Sequence, residues 1–452
     1  MRQCLTSPDG GYYTSPSSSA SDQFGAKGDF VTSPEISQIF GELVGIWFMT
    51  EWMGQGRPKS GVQFIELGPG RGTLMSDILR TISQFKAFSG AVNEVWLVEA
   101  GESLRQKQKD TLCGSSAQIV EKNEDNRKWW ECSSIYPNTT VKWVEDIVLM
   151  PPSTTPTTPF IIAHEFFDAL PIHAFESVAP APTPQQQPLS TSDAPTPRPS
   201  SASQKPQWRE LLVTPTPRAL PLPGTPPPIS STPQPDFQLT LAKASNPSSL
   251  VLTSSPRYKA LQSQPGSRTE VSPDSARYIG AISELIGPKP IPAQQSSQTS
   301  PAKASGAALI IDYGPLSTIP INSLRGISQH KIVSPFVTPG QADLSSDVDF
   351  TALADHALTA SENVEVHGPV EQGNWLEQLG IRDRADRLMK TLMKSADWAG
   401  ENEVRKKEFE SGWRRLVEGG PKGMGKAYKV MAIVPEGGGK RRPVGFGGGV
   451  IG

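Results

Sequence analysis

Cysteine is scarce in this chain of 452 residues: Cys4, Cys113 and Cys132 are odd in number and show neither a CxxC pair nor metal-ligand spacing. That pattern gives no basis for a disulfide framework or a metal site, and makes a reducing compartment the default. The sequence has no apolar run of about 18 residues or more, the length a bilayer-spanning helix needs, so no transmembrane segment is expected. Neither sign of charge dominates: 43 Lys and Arg stand against 45 Asp and Glu, a net −2. Such a balance gives no reason to expect nucleic acid or an anionic membrane as the partner. What is abundant is punctuation, with 44 Pro and 40 Gly, so much of the length is not core.

The most informative stretch is VQFIELGPGRGTL, Val62 to Leu74. A short apolar run suited to a strand buried on both faces empties into Gly68, Gly70 and Gly72, after which a helix is predicted to begin near Thr73. Glycine belongs where φ is positive or where a ligand must touch backbone, and a helix N-terminus points its N–H groups into the same crevice. The dinucleotide fingerprint is GxGxxG. The spacing here is GxGxG preceded by an acid, Glu66, which leans towards S-adenosylmethionine, whose methionine half offers an ammonium and no pyrophosphate. A second apolar run, Val95 to Val98, ends in Glu99, placed as an acid at the end of strand two to accept both ribose hydroxyls. A long helix, Leu74 to about Phe88, is expected between them.

Upstream, Thr32 with Glu35 forms a capping box and Pro34 suits a first turn, so one helix is expected with Ile36, Ile39, Phe40, Leu43, Val44 and Trp47 on a single face. Gly28, Asp29 and Phe30 before it read as a loop able to close over the cofactor. Downstream the chain is polar to Thr140. Further strands are expected at Val141 to Ile147, Pro159 to Ala163, Ala307 to Ile311, Val364 to His367 and Tyr428 to Val434. Alternating strands and helices with two late strands match a seven-stranded, mostly parallel sheet whose last strand inserts antiparallel beside the sixth.

The fourth strand runs into His164, Glu165 and Asp168, beyond the carboxyl end of the sheet, where ligands bind in open α/β folds. Two carboxylates three residues apart beside an imidazole are the foremost catalytic candidates. The plain alternative is that Asp168 caps a turn and Glu165 is solvated. Residues 177 to 306 hold 25 of the 44 prolines, concentrated in segments near 179–206, 214–236 and 287–305 that read as disordered insertions. The islands WRELLV, FQLTLA and SARYIGAISELI between them look like a hairpin and a helix of the fold. The division expected is an N-terminal helical segment (1–60), an α/β domain carrying the glycine loop (61–435) with a polar helical insertion near 374–418, and a flexible tail (436–452).

With these residues in view, the chain resembles the MidA-like S-adenosylmethionine-dependent methyltransferases, whose mitochondrial members are complex I assembly factors. The matching blocks are MRQCLTSPDGGYY, GDFVTSPEISQIFGEL, ELGPGRGTL, AHEFFDALP, IIDYG, LRGISQHKIVSPFVTPGQADLSSDVDF and GPVEQGNWLEQLGI. The resemblance implies a class I (Rossmann-like) fold, S-adenosyl-L-methionine as cofactor held by Glu66, Gly68, Gly70, Gly72 and Glu99, and a mitochondrial matrix location. It also implies a type II protein-arginine methyltransferase that makes symmetric dimethylarginine on a core subunit of complex I. The catalytic assignment of Glu165, Asp168 and His164 comes from their placement alone: the carboxylates hold the substrate guanidinium and the imidazole takes a proton. The family block that here begins at Met1 leads to the expectation of an upstream targeting segment. A non-catalytic assembly module with the same fold and a methyltransferase acting on a small molecule stay open as readings of the same residues.

Overall fold

A computed structural model describes residues 1–14, 29, 31–153, 155–180, 205–217, 235–289, 303–393 and 402–447. Gly28, Phe30, the greater part of the three proline-rich segments and the end of the tail lie outside them. The described chain divides into two compact units, one of residues 1–171, 274–318 and 323–452 and the other of 172–273 and 319–322.

Among the described residues, sixteen strands follow in chain order: β1 Val62–Leu67, β2 Val92–Val98, β3 Val120–Glu124, β4 Arg127–Ser133, β5 Thr140–Val144, β6 Thr158–His164, β7 His173–Val178, β8 Gln207–Pro215, β9 Phe237–Leu241, β10 Arg268–Val271, β11 Ala307–Tyr313, β12 Arg325–Ser328, β13 Lys331–Val333, β14 Asp343–Ser345, β15 Val364–Glu371 and β16 Tyr428–Pro435. The larger unit is built on one sheet of order β15-β16-β11-β6-β1-β2-β5-β4-β3. Its centre is parallel, β11 to β6 to β1 to β2 to β5. The last strand, β16, lies antiparallel between β11 and β15. The seven expected strands take their expected places, but the sheet has nine. The two extra strands come from the polar stretch before Thr140 and extend the β5 edge as an antiparallel hairpin. Its turn, Asp125-Asn126, has both residues at positive φ (49° and 60°), the backbone of a two-residue hairpin loop. The whole of β3 is exposed, so its sequence carries no apolar alternation to read.

Successive residues of a strand face opposite sides, and both sides of this sheet are covered. Val62 and Phe64 join Phe160, Ile162 and the helix Gln38–Gly54 in one core, whereas Ile65 and Leu67 join Ile161, Ala163, Ile279 and Ile282 of the helix Pro273–Ile286 in the other. Two helices expected as continuous are broken. The capping box at Thr32, whose N–H donates to Glu35 Oε2 at 3.3 Å, starts only the short helix Ser33–Ile36. Ser37, extended at φ −157°, then opens a second helix by accepting the Ile39 N–H. The helix after the glycine loop ends at Ile82, with a further turn at Lys86–Ser89. The late polar insertion is three helices, Gln372–Gln378, Ile381–Leu392 and Asn402–Val417. Between β11 and β15 the structure adds a small sheet of order β13-β12-β14, for which the sequence reading made no provision.

The smaller unit is an antiparallel sheet of order β10-β7-β8-β9. The islands WRELLV and FQLTLA do pair there as a hairpin, from Leu211 opposite Leu241 to Pro215 opposite Phe237.

The first core of the larger unit centres on Phe160, wholly buried, with the rings of Phe48, Phe64 and Phe88 at 5.5, 5.8 and 5.9 Å. Truncation there leaves a cavity that rigid strands on both sides cannot close. Phe160→Ala should therefore lower stability by about 3–5 kcal/mol. Chemical denaturation measures it, and a loss below about 1 kcal/mol would show that this cluster does not hold the sheet.

Candidate active site

The carboxyl ends of β1, β2, β5 and β6 converge on one cavity of about 310 Å³, lined among others by Glu66, Gly68, Gly70, Glu99, His164, Glu165 and Asp168. Seven of the eight residues singled out from the sequence thus meet in one place. Gly72, the eighth, does not line it. It caps the helix Thr73–Ile82 from the left-handed region at φ 80°. Gly68 and Gly70 share that region, at φ 64° and 53°. A Cβ on Gly68 would also stand 3.0 Å from the Phe166 ring, so only glycine lets the loop and the turn after β6 approach this closely.

Glu66 is 3 % exposed, and its Oε2 has no hydrogen-bond partner among the described residues. Burial pushes its pKa up to about 8, against the pull of the Met75 backbone N–H. Glu99 is fixed more firmly: Oε1 accepts the Gly101 N–H at 2.8 Å and Oε2 accepts Gln108 Nε2 at 3.0 Å. Burial pushes its pKa to about 7. Gln108 was missed from the sequence, yet it ties the site together. Its Nε2 also donates to the Gly70 carbonyl at 2.8 Å, and its Oε1 accepts from Trp143 Nε1 at 2.9 Å. One buried amide thus links glycine loop, acid and β5. The available signal was its place four residues after Leu104 and four before Leu112, on the buried face of the helix Glu102–Cys113.

The turn after β6 is organised by another residue whose role the sequence did not show, Asp312 at the end of β11. Its Oδ2 accepts the N–H groups of Phe166, Phe167 and Asp168 at 3.1, 2.9 and 3.3 Å, and Oδ1 accepts that of Tyr313 at 2.9 Å. The turn begins with Glu165 at φ 52°, a conformation rare outside glycine. Glu165 Oε1 accepts the Tyr428 hydroxyl at 2.9 Å, Asp168 Oδ2 accepts that of Ser345 at 2.9 Å, and Asp343 Oδ1, also lining the cavity, accepts that of Tyr13 at 2.8 Å. Burial, reinforced for Glu165 and Asp343 by Asp168, raises all three: Glu165 well above the usual carboxylate range, Asp168 to about 6 and Asp343 to about 7. His164 is 7 % exposed and burial depresses its pKa to about 3, so the ring is neutral. Its Nε2 lies 3.5 Å from Glu165 Oε1. Asp29, the described member of the loop before the capping box, accepts the Tyr12 hydroxyl at 2.6 Å and the Gln329 N–H at 2.7 Å, anchored to the β12–β13 turn.

Residues 43–370 match the model of a family described as "Putative S-adenosyl-L-methionine-dependent methyltransferase". The chain belongs to this methyltransferase family. It is 32 % identical over 438 residues to the Homo sapiens "Protein arginine methyltransferase NDUFAF7, mitochondrial", covering 96 % of this chain and 79 % of that protein. The Rattus norvegicus protein of the same name is 32 % identical over 453 residues, covering 99 % and 82 %. The Drosophila melanogaster homologue is 31 % identical over 438 residues, covering 96 % and 80 %. The fold is similar to the crystal structure of a Burkholderia thailandensis protein bound to S-adenosyl-homocysteine, with a TM-score of 0.61 at 18 % identity over 99 % of this chain and 87 % of that one.

The cofactor of the methyltransferase is S-adenosylmethionine, and the residues present fit it. A buried carboxylate oxygen on Glu66 with no partner among the described residues would suit the cofactor's ammonium, and the Glu99 carboxylate would be able to accept ribose hydroxyls. Gln108→Leu removes the amide from the loop carbonyl and from Glu99, and strands the Trp143 N–H, so cofactor affinity should fall roughly tenfold or more. Calorimetry with S-adenosylhomocysteine measures this, and unchanged affinity would remove Gln108 from the site. A second expectation concerns pH. Glu66 and Glu99, raised to about 8 and about 7, bind protons in the folded chain that an unfolded chain has already released. Above the ordinary histidine value His164 adds no opposing difference, so from about pH 6.5 to 8 the free methyltransferase should lose stability as pH rises. A cationic ligand takes the carboxylate forms, so its affinity should rise over the same window, by up to roughly tenfold per pH unit for each proton released. Thermal melts and calorimetry across that window would show a flat or falling affinity if these acids do not meet the ligand.

Proposed function

We propose that this methyltransferase acts on arginine in a protein: as a type II enzyme it makes symmetric dimethylarginine on a core subunit of mitochondrial complex I, in the matrix. The observation that carries the arginine reading is the trio Glu165, Asp168 and Asp343 lining the cofactor cavity, the two aspartates buried and the Glu165 side chain only 11 % exposed, each hydrogen-bonded to a neutral hydroxyl. Carboxylates so desolvated call for a cation, and a planar guanidinium satisfies two of them with parallel N–H donors. The relatives named as mitochondrial protein arginine methyltransferases support protein arginine as the acceptor and the mitochondrion as the location.

The cofactor supplies a methyl group on a sulfonium, ready for in-line attack. The protein's part is positioning, since nucleophile, carbon and leaving sulfur must be aligned near contact distance. Glu165 and Asp168 hold the guanidinium and localise its charge, leaving one nitrogen towards the methyl. When the N–CH₃ bond forms and the C–S bond breaks, that nitrogen gives up a proton. Glu165, whose pKa lies well above its ordinary value, is the acceptor in reach. His164, neutral and 3.5 Å away, is a weaker base that can receive the proton only in passing.

Labelled S-adenosylmethionine incubated with the protein and a matrix extract, followed by mass spectrometry, should place the label on arginine of one protein. Glu165→Gln keeps the Tyr428 hydrogen bond but not the charge, and should lower turnover roughly 100-fold or more while S-adenosylhomocysteine still binds. Label on a metabolite, or an unimpaired Gln variant, would overturn the reading.

A further inference from the structure

Tyr428 belongs to two places at once. Its hydroxyl donates to Glu165 in the cofactor cavity, and with Tyr313, whose ring lies 4.2 Å away, it also lines a separate groove of about 1240 Å³ in the same unit. The remaining wall of that groove comes from the helix Asn402–Val417 and the glycine-rich loop after it, with Val31 beside them. Lys407, Arg414, Arg415 and Lys422 line it against Glu410 and Glu418. All four cations are exposed. In a chain of net charge −2 this face is locally of the opposite sign.

The groove has about four times the volume of the cofactor cavity, room for an extended segment of polypeptide. Its charge fits an acidic one. The aromatic pair in its lining suits a guanidinium: Arg325 already sets its own guanidinium 5.3 Å from the centre of the Tyr313 ring, within cation–π range. Gly419 and Gly423 on the rim let backbone approach without side chains between.

We propose that this groove receives an acidic segment flanking the target arginine, and that the arginine side chain passes the Tyr313–Tyr428 wall to reach Glu165, exchanging its own N–H for the Tyr428 hydroxyl. The proposal rests on the protein-arginine reading and adds the chemistry of the partner. Tyr428 is then a positioning residue that holds Glu165 until substrate arrives.

The test uses the whole chain saturated with S-adenosylhomocysteine and two short fluorescent peptides, each with a single arginine, one flanked by aspartates and the other by lysines. Anisotropy should show the aspartate peptide binding roughly tenfold tighter or more, with the preference shrinking as salt screens it. Reversing the exposed pairs, Arg414→Glu with Arg415→Glu or, independently, Lys407→Glu with Lys422→Glu, should erase that preference without changing affinity for S-adenosylhomocysteine. Equal binding of the two peptides, or a preference that survives both reversals, overturns the groove even if label in the extract is found on arginine. A preserved acidic preference with label on another acceptor keeps the groove and removes the arginine reading.

Discussion

The constraint on which the site depends is the Asp312 carboxylate. It is wholly buried at the end of β11 and accepts four backbone N–H groups, three of them from the turn that follows β6. Burial and the neighbouring Asp168 push its pKa up, while the four donors favour the anion. The geometry, in which both oxygens accept, is that of a carboxylate whose water has been replaced by peptide dipoles. Because β11 and β6 are hydrogen-bonded neighbours, this one contact converts sheet register into the position of Glu165 and Asp168. It also holds Glu165 at a positive φ, strain of about 1–3 kcal/mol that persists only when the surroundings over-determine the backbone.

A second balance sets the chemistry. The cavity gathers buried or nearly buried carboxylates and satisfies four of them, Glu99, Glu165, Asp168 and Asp343, with hydroxyls, a backbone N–H and one amide, leaving Glu66 Oε2 without a partner among the described residues. Their pKa values rise accordingly. A pyrophosphate would be repelled by such a lining, whereas an ammonium, a sulfonium and a guanidinium are each drawn to it. One electrostatic arrangement would therefore suit both S-adenosylmethionine beside the glycine loop and the cationic methyl acceptor proposed above.

Much of this was legible in the residues. The run from Val62 to Leu74 determined strand, loop and helix, because alternation, positive-φ glycines and a helix start are properties of neighbours in the chain. The acids ending β1 and β2 and the His164 to Asp168 segment were legible for the same reason: carboxyl ends of parallel strands share one edge, whatever the details of packing. The β3–β4 hairpin was not, since an exposed edge strand needs no apolar pattern. Nor was the break at Ser37, where the apolar stripe continues across two helices as if they were one.

What only the tertiary structure decided is which distant polar groups become partners. Asp312 meets the turn after β6 across some 145 residues, Tyr428 meets Glu165 across 263, and Tyr13 meets Asp343 across 330. Nothing local to any of them distinguishes it from an ordinary strand-end acid or a core tyrosine. The sequence by itself determined where ligand could bind, through local backbone chemistry. The charge state of the site was decided by long-range burial, which sets the cost of every unpaired charge and appears only once the sheet has closed over them.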